Sequence, residues 1–393
     1  MSDAPVLAQE LCDTIIDFLW DDHDTLNSVS RTCSSFTFRA QGHLFREVGI
    51  SHFAYGIVQA RRLVDTIKGS PHLIPLVQHL SFRFSNSAVF DLLASSGISW
   101  CNVNRLSLAP IEAAGNAGGF ATQSLESIKT LVALPSLRRV RLDFKPFPSH
   151  FRRDIYAIFS CLNPGVRILE LRSLQLRAWP SNPGYQLLAP ISREHPLPPH
   201  GLPTVPRLDT LRLISTDGDF LCEPACPLDI SALHEVEGFG WENSLLFATA
   251  VSGTVRKWTF DNLHRLRNEE ILHLIPNITE IDFTALSISS LNLERAMDHL
   301  TPAHRIAKIG ITMFSSSFSI GSPRTFRESW KGCVATMVEK NPSLQELSLK
   351  VLLPHYGQRG AVKEEVEAAF PDMCQGILKL TFVEERHYKF TVG

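Results

Sequence analysis

The chain has 393 residues (43.9 kDa), with 38 Lys and Arg against 40 Asp and Glu, a net charge of −2. That balance excludes a global electrostatic pull toward nucleic acid or acidic membranes. A content of 44% hydrophobic against 20% charged residues excludes wholesale disorder.

The longest apolar run, Leu245 to Val251, contains Thr249 and falls far short of the roughly 20 residues that cross a bilayer. Acids at Asp3, Glu10, Asp13 and Asp17 interrupt what would otherwise be a secretory signal. Eight scattered cysteines read as small buried hydrophobes, so the expected compartment is reducing, cytosol or nucleus.

Residues 1–50 form a distinct acidic unit, eight acids against three arginines. Leu11, Ile15, Phe18 and Leu19 share the spacing of a core-facing helical stripe. The run Asp21-Asp22-His23-Asp24 breaks it, and Asp24 is expected to cap a second helix carrying Leu26, Val29 and Cys33. Ser34 or Ser35 is expected to cap a third with Phe36, Ala40 and Leu44. So small a unit is marginal by itself. It is read either as a cap of the following domain or as a docking module for a partner.

Val6-Leu7-Ala8-Gln9-Glu10-Leu11, Ile15 to Leu19, Leu26 to Cys33 and His43-Leu44-Phe45 together resemble an F-box motif of the form common in fungal F-box proteins. The family usually has Pro where Ala8 stands and often Trp where Phe36 stands. The resemblance implies docking on a Skp-type adaptor of a cullin–RING ubiquitin ligase, through Leu7, Glu10, Leu11, Ile15, Ile16, Leu19, Leu26, Val29, Cys33 and Leu44.

From about residue 70 onward one phrase recurs: apolar, two variable residues, apolar, one variable, apolar. It runs from Val77/Leu80/Phe82 through Val103/Leu106/Leu108, Leu137/Val140/Leu142, Val166/Leu169/Leu171 and Leu208/Leu211/Leu213. Leu233/Val236/Gly238 is a degenerate copy. Then come Val255/Trp258/Phe260, Ile278/Ile281/Phe283, Ile306/Ile309/Ile311, Leu344/Leu347/Leu349 and Ile377/Leu380/Phe382.

The phrase alone is weak at this hydrophobic content. Proline strengthens it: Pro75, Pro135, Pro164, Pro206, Pro276 and Pro342 each stand two residues before the first apolar position. Proline ends a helix and needs no N–H partner, which suits the entry to a strand. Helical stripes lie between the phrases, at Leu125/Ile128/Leu131/Val132, Phe151/Ile155/Ile158/Leu162, Phe326/Trp330/Cys333/Met337/Val338 and Val362/Val366/Phe370.

Strand and helix alternating near every thirty residues predict an α/β solenoid with a parallel sheet along one face. This resembles the irregular leucine-rich repeats of F-box proteins. The expected organisation is a three-helix F-box-like domain over 1–50 and a leucine-rich-repeat solenoid with a curved sheet over 51–393. A proline-rich loop at 179–206 interrupts it with eight prolines, and a serine-rich loop follows at 315–323.

No phosphate-cradling loop, Gly-x-Ser-x-Gly elbow or paired-histidine zinc motif occurs. Cys222 and Cys226 are a lone pair, and Asp217-Gly218-Asp219 reads as a turn. The expectation is therefore a non-enzyme with no catalytic residues, metal or cofactor.

Strand alternation puts the variable positions of each phrase on one face. There stand Arg83 and the five arginines Arg105, Arg139, Arg141, Arg172 and Arg212, against Asp143 and Glu170. Acids and lysines balance in later repeats, at Glu235, Glu237, Lys257, Glu280, Asp282, Lys308, Glu346, Lys350 and Lys379. The five arginines are expected to hold an acidic or phosphorylated protein target by bidentate contacts, or else to be a solvated face.

The function expected is a substrate-recognition subunit of an SCF-type ubiquitin ligase. It would bind adaptor, cullin ligase and target, but neither nucleic acid nor membrane. The alternative is a free-standing leucine-rich-repeat interaction scaffold.

Overall fold

The computed structural model describes residues 8–50, 55–83, 87–111, 122–144, 152–174, 205–214, 216, 218–238, 245–261, 272, 274–285, 304–314, 334, 336–353 and 376–384. These fall into two compact units, Met1–Val166 and Arg167–Gly393.

The first unit begins with three helices, α1 (Gln9–Phe18), α2 (His23–Val29) and α3 (Ser34–Leu44). Ile16, Leu26 and Ala40 are buried between them, and Leu19, Val29, Phe36 and Leu44 pack around that centre. The start of α2 lies two residues earlier than expected. Asp22, not Asp24, is the cap, and its carboxylate accepts from the Thr25 N–H at 3.0 Å. Cys33 occupies the cap position of α3 without a side-chain bond, and Ser34 and Ser35 lie inside the helix.

Ala8 caps α1 with φ −59°, the value proline imposes, so alanine fits where the resembled family carries proline. The stripe assigned to the core of α1 is corrected. Cys12 and Ile16 face inward, whereas Leu11, Ile15 and Phe18 face outward.

Strand β1 (Glu47–Ile50) follows and pairs in parallel with β2 (His79–Arg83). Residues 47–50 are thus a rung of the sheet, although they lie within the first fifty. Strands β3 (Arg105–Ile111) and β4 (Arg139–Phe144) extend the sheet in chain order.

Helices α4 (Gly56–Gly69), α5 (Ser87–Ala94), α6 (Thr122–Val132) and α7 (Arg152–Phe159) pack side by side between rungs. Ala60, Val64 and Ile67 of α4 are buried at helical spacing. Ile128, Leu131 and Val132 of α6, and Ile155 and Ile158 of α7, are buried as the stripes require. The pattern at 362–370, most of that at 326–338 and the loop at 315–323 lie outside the described residues.

In the second unit β5 (Ile168–Arg172), β6 (Thr210–Ile214), β7 (Glu235–Glu237), β8 (Lys257–Asp261), β9 (Glu280–Ala285), β10 (Lys308–Phe314), β11 (Glu346–Leu353) and β12 (Leu378–Glu384) pair in parallel in chain order. Helix α8 (Leu245–Val251) precedes β8. The apolar positions stack in register: Leu211 beside Val236, Val236 beside Trp258, Trp258 beside Ile281, Ile281 beside Ile309. Trp258 is fully buried, stacks on Phe260, and meets Phe247 of α8 edge-on. Phe260 stacks in turn on Phe283.

The last rung departs from the phrase. Leu347 and Leu349 sit beside Leu378 and Leu380, so β12 is shifted by two residues. A two-residue slip keeps every side chain on its own face, so the pattern alone cannot exclude it.

The prolines act as expected, with one exception. At five of the six, the N–H of the first apolar residue donates to the carbonyl just before the proline: Val77 to Ile74, Leu137 to Leu134, Val166 to Asn163, Ile278 to Ile275 and Leu344 to Asn341, at 2.9–3.2 Å. Each proline thereby sits second in a β-turn, where its fixed φ is already correct. Near Pro206 the Leu208 N–H donates to the Asp229 carbonyl instead. Rungs also share a joint: the Asn104 carbonyl accepts from both Arg138 and Arg139, and the Arg256 carbonyl from both Thr279 and Glu280. The bulk of the proline-rich segment, 175–204, lies outside the described residues.

Candidate functional site

Two kinds of surface carry chemistry. The first is on α1. Leu11, Ile15 and Phe18 stand at i, i+4 and i+7, one face of a helix, and are 55%, 54% and 80% exposed. Trp20, just past the helix, and Phe38 of α3 are also exposed.

The opposite side of α1 is tied to α3. The Asp17 carboxylate accepts from Arg39 Nε at 2.6 Å and from Arg39 Nη2, and lies 2.8 Å from His43 Nε2. Hydrogen bonding from Arg39, then from His43, holds the Asp17 carboxyl well below the usual carboxylate range. Gln9 Nε2 donates to the Ser35 carbonyl at 3.1 Å, closing the other end. The apolar stripe is therefore the free side of a helix whose polar side is occupied.

The structure sorts the residues assigned to adaptor contact. Glu10, Leu11, Ile15 and Cys33 are exposed. Ile16 and Leu26 are core, with Leu19, Val29 and Leu44 packed on them. Leu7 lies outside the described residues. The sequence reading passed over Trp20 and Phe38. The i, i+4, i+7 pattern identifies an apolar face without saying whether a core or a partner covers it.

The second kind of surface is the open side of the strands. In the first unit β4 alternates cleanly: Val140, Leu142 and Phe144 are buried, and Arg139, Arg141 and Asp143 face away. Register aligns Glu47, His79, Arg105 and Arg139 in one row, and Gly49, Ser81, Ser107 and Arg141 in the next. Arg105 and Arg139 are thus like charges side by side, ~4.8 Å apart between rungs.

His79 lies beside them, its Nδ1 3.3 Å from Glu47 and its Nε2 3.2 Å from Ser107 Oγ. Burial lowers the pKa of His79, and Arg105 and Arg139 lower it further against the pull of Glu47. Arg141 Nη2 reaches Asp143 at 3.4 Å.

Among the described residues of the second unit, several strand-face charges pair with one another. Arg172 is 7% exposed and its Nε donates to the buried Glu170 at 2.6 Å. Arg212 Nε lies 2.6 Å from Glu237, and its Nη1 4.0 Å from Glu170. The expectation of five outward guanidinium groups is therefore corrected. Arg172 is buried and Arg212 is engaged, because Glu170 and Glu237 stand beside them in the pattern.

Farther along, one row reads Glu235, Lys257, Glu280, Lys308, Glu346. Lys257 lies 2.8 Å from Glu235 and 3.3 Å from Asp282, and Lys308 lies 3.3 Å from Glu346. Burial works against the charge on Lys257, but its carboxylate partners outweigh it and raise its pKa. Over this ladder lies an open groove of about 310 Å³, including Arg212, Asp282, Thr284, Gly310 and Lys350. Burial pushes the Cys226 thiol up to about 12, so it stands as a protonated thiol. Among the described residues no helix is long and apolar enough to cross a membrane.

No family model matches the sequence, and no curated protein matches it. Among solved structures it is similar to the leucine-rich repeat-containing protein LegL7 from Legionella pneumophila. The identity is 12%, covering 86% of this chain and 91% of that chain, with a TM-score of 0.40.

Proposed function

We propose that the chain is a repeat-based protein-interaction scaffold. Its N-terminal helices dock a Skp-type adaptor of an SCF-type cullin–RING ligase, and its strand faces hold a target protein. The observation that carries this reading is the stripe of Leu11, Ile15 and Phe18, exposed on a helix whose other side is fastened by the Asp17–Arg39 pair. Large apolar side chains clustered on a surface mark an interaction site.

A helical unit that only capped the repeats would turn this stripe under them. The F-box resemblance names the occupant. The work of such a subunit is proximity: it raises the effective concentration of target near a ubiquitin-loaded enzyme and needs no active site of its own.

The test is co-purification of the full chain with purified Skp-type adaptor. Leu11→Asp and Ile15→Asp leave the fold intact, because both side chains are already in water. On docking, each would bury an unpaired carboxylate, at a cost of several kcal/mol or a neutralising pKa shift. Adaptor capture is expected to fall at least tenfold for each. Undiminished capture by both variants would refute the docking reading and leave the free-standing scaffold.

A further inference from the structure

The charged row of the second unit leaves one member out. Lys257 engages Glu235 and Asp282, and Lys308 engages Glu346. Glu280 stands between the two lysines in register, yet among the described residues its carboxylate has no ion pair and no side-chain hydrogen bond. The other cations of the groove do not reach it. Arg212 is engaged by Glu237, and Lys350 lies two strands over and four residues farther along. Across β7–β10 the four acids Glu235, Glu237, Glu280 and Asp282 thus line the groove with only two lysines, Lys257 and Lys308. Burial raises the pKa of Glu237, and Glu170 and Glu235 raise it further against the pull of Arg212.

We propose that the groove over β8–β10 is a docking site for a basic segment of the target protein, with one lysine or arginine side chain of that segment held between Glu280 and Asp282. This rests on the scaffold reading above and names the chemistry of its target.

Glu280 and Asp282 are two residues apart on β9, so they share a face, with roughly 7 Å between their backbones. Asp282 meets Lys257 through Oδ2, while its Oδ1 lies over Gly310 on the next strand. A Cβ at position 310 would overlap that oxygen, so glycine is what lets the carboxylate lean across β10. An ammonium or guanidinium placed between the two acids donates to Glu280 on one side and to Asp282 on the other, and such charge-assisted bonds are the strong ones. Thr259, Thr312 and Ser348 line the groove on the flanking strands. They are small, which leaves room for a chain above the sheet, and among the described residues their hydroxyls have no hydrogen-bond partner. They can therefore donate to and accept from the main chain of an extended segment. Lys257 and Lys308 keep their own carboxylates, so the cation that answers Glu280 has to come from outside the sheet.

The test titrates the full chain, at low and high salt, with a fluorescent hexapeptide of alternating serine and lysine and, separately, with one of alternating serine and glutamate. The lysine peptide is expected to bind at low salt and to weaken at high salt. Glu280→Gln removes no contact from the empty protein and keeps the side-chain shape, so it is expected to fold normally and to lose about tenfold in affinity. Gly310→Ala displaces the Asp282 carboxylate without changing the net charge, and is expected to weaken binding about threefold or more. The double variant Asp21→Asn/Asp65→Asn removes two exposed acids from the first unit and is expected to bind normally.

Absence of lysine-peptide binding, salt-insensitive binding, preference for the glutamate peptide, or full binding by Glu280→Gln or by Gly310→Ala would each overturn the proposal. So would an equal loss in the Asp21→Asn/Asp65→Asn control, which would reduce the effect to diffuse charge. Adaptor capture is measured on the same samples. Capture retained without peptide binding sinks this inference alone, and capture lost with peptide binding intact sinks only the docking reading.

Discussion

At Gly238 the phrase Leu233/Val236/Gly238 looks like a repeat that has lost its third apolar residue. The structure gives a different reason. Gly238 has φ +83°, and a Cβ there would lie 2.7 Å from the Leu213 carbonyl oxygen. Its N–H donates to the Thr259 carbonyl at 2.9 Å, so the backbone crosses between rungs where β7 ends after three residues. Only glycine tolerates both the left-handed conformation and the close approach. Gly238→Ala is expected to destabilise the second unit by about 1–3 kcal/mol, read from urea unfolding of the full chain. A stability unchanged within error would show that the backbone there relaxes without cost. Arg172 and Arg212 carry a related lesson. Glu170 stands two residues before Arg172 on one strand face, a pairing the sequence already offers, whereas only the register of β6 on β7 brings Glu237 to Arg212.

At the scale of elements, the fastening of α1 to α3 rests on charge, while the helices' common core is small. The Asp17 carboxyl has a depressed pKa in the folded protein. Its contribution is therefore full above its ordinary value near 3.8 and is lost as pH falls through the folded value. Hydrogen exchange of the Cys12 and Ile16 amides, corrected for intrinsic rates, is expected to show α1 opening more easily as the medium acidifies below pH 4. Asp17→Asn is expected to open more easily already at neutral pH, and to respond little to further acid. Equal protection in the variant and the parent at pH 7 would show that the small core alone holds α1.

Strand positions were the most legible elements. Period-two burial, in register with a preceding turn proline, leaves little choice of face. Helix α4 and strand β1 escaped notice because they precede the first repeated phrase, and α5 and α8 because seven or eight residues are too few to show a helical period clearly. The two-residue slip of β12 preserves facing and so leaves no trace in the pattern.

For the whole molecule, the sequence separates an acidic N-terminal helical segment from a repeat array, and both are present as secondary structure. It does not say which apolar stripe is core and which is surface, because the two have the same periodicity. That distinction carries the function. Ile16 and Leu26 build the small core of the helical unit, while Leu11, Ile15 and Phe18 stay exposed, where the proposed adaptor would dock.

The most direct test is amide hydrogen exchange of the full chain with and without saturating Skp-type adaptor. The account expects slowed exchange within residues 8–20 and their α3 neighbours, with exchange in β2–β4 and β8–β11 unchanged. Slowing confined to the strand faces, or none within residues 8–50, would contradict it.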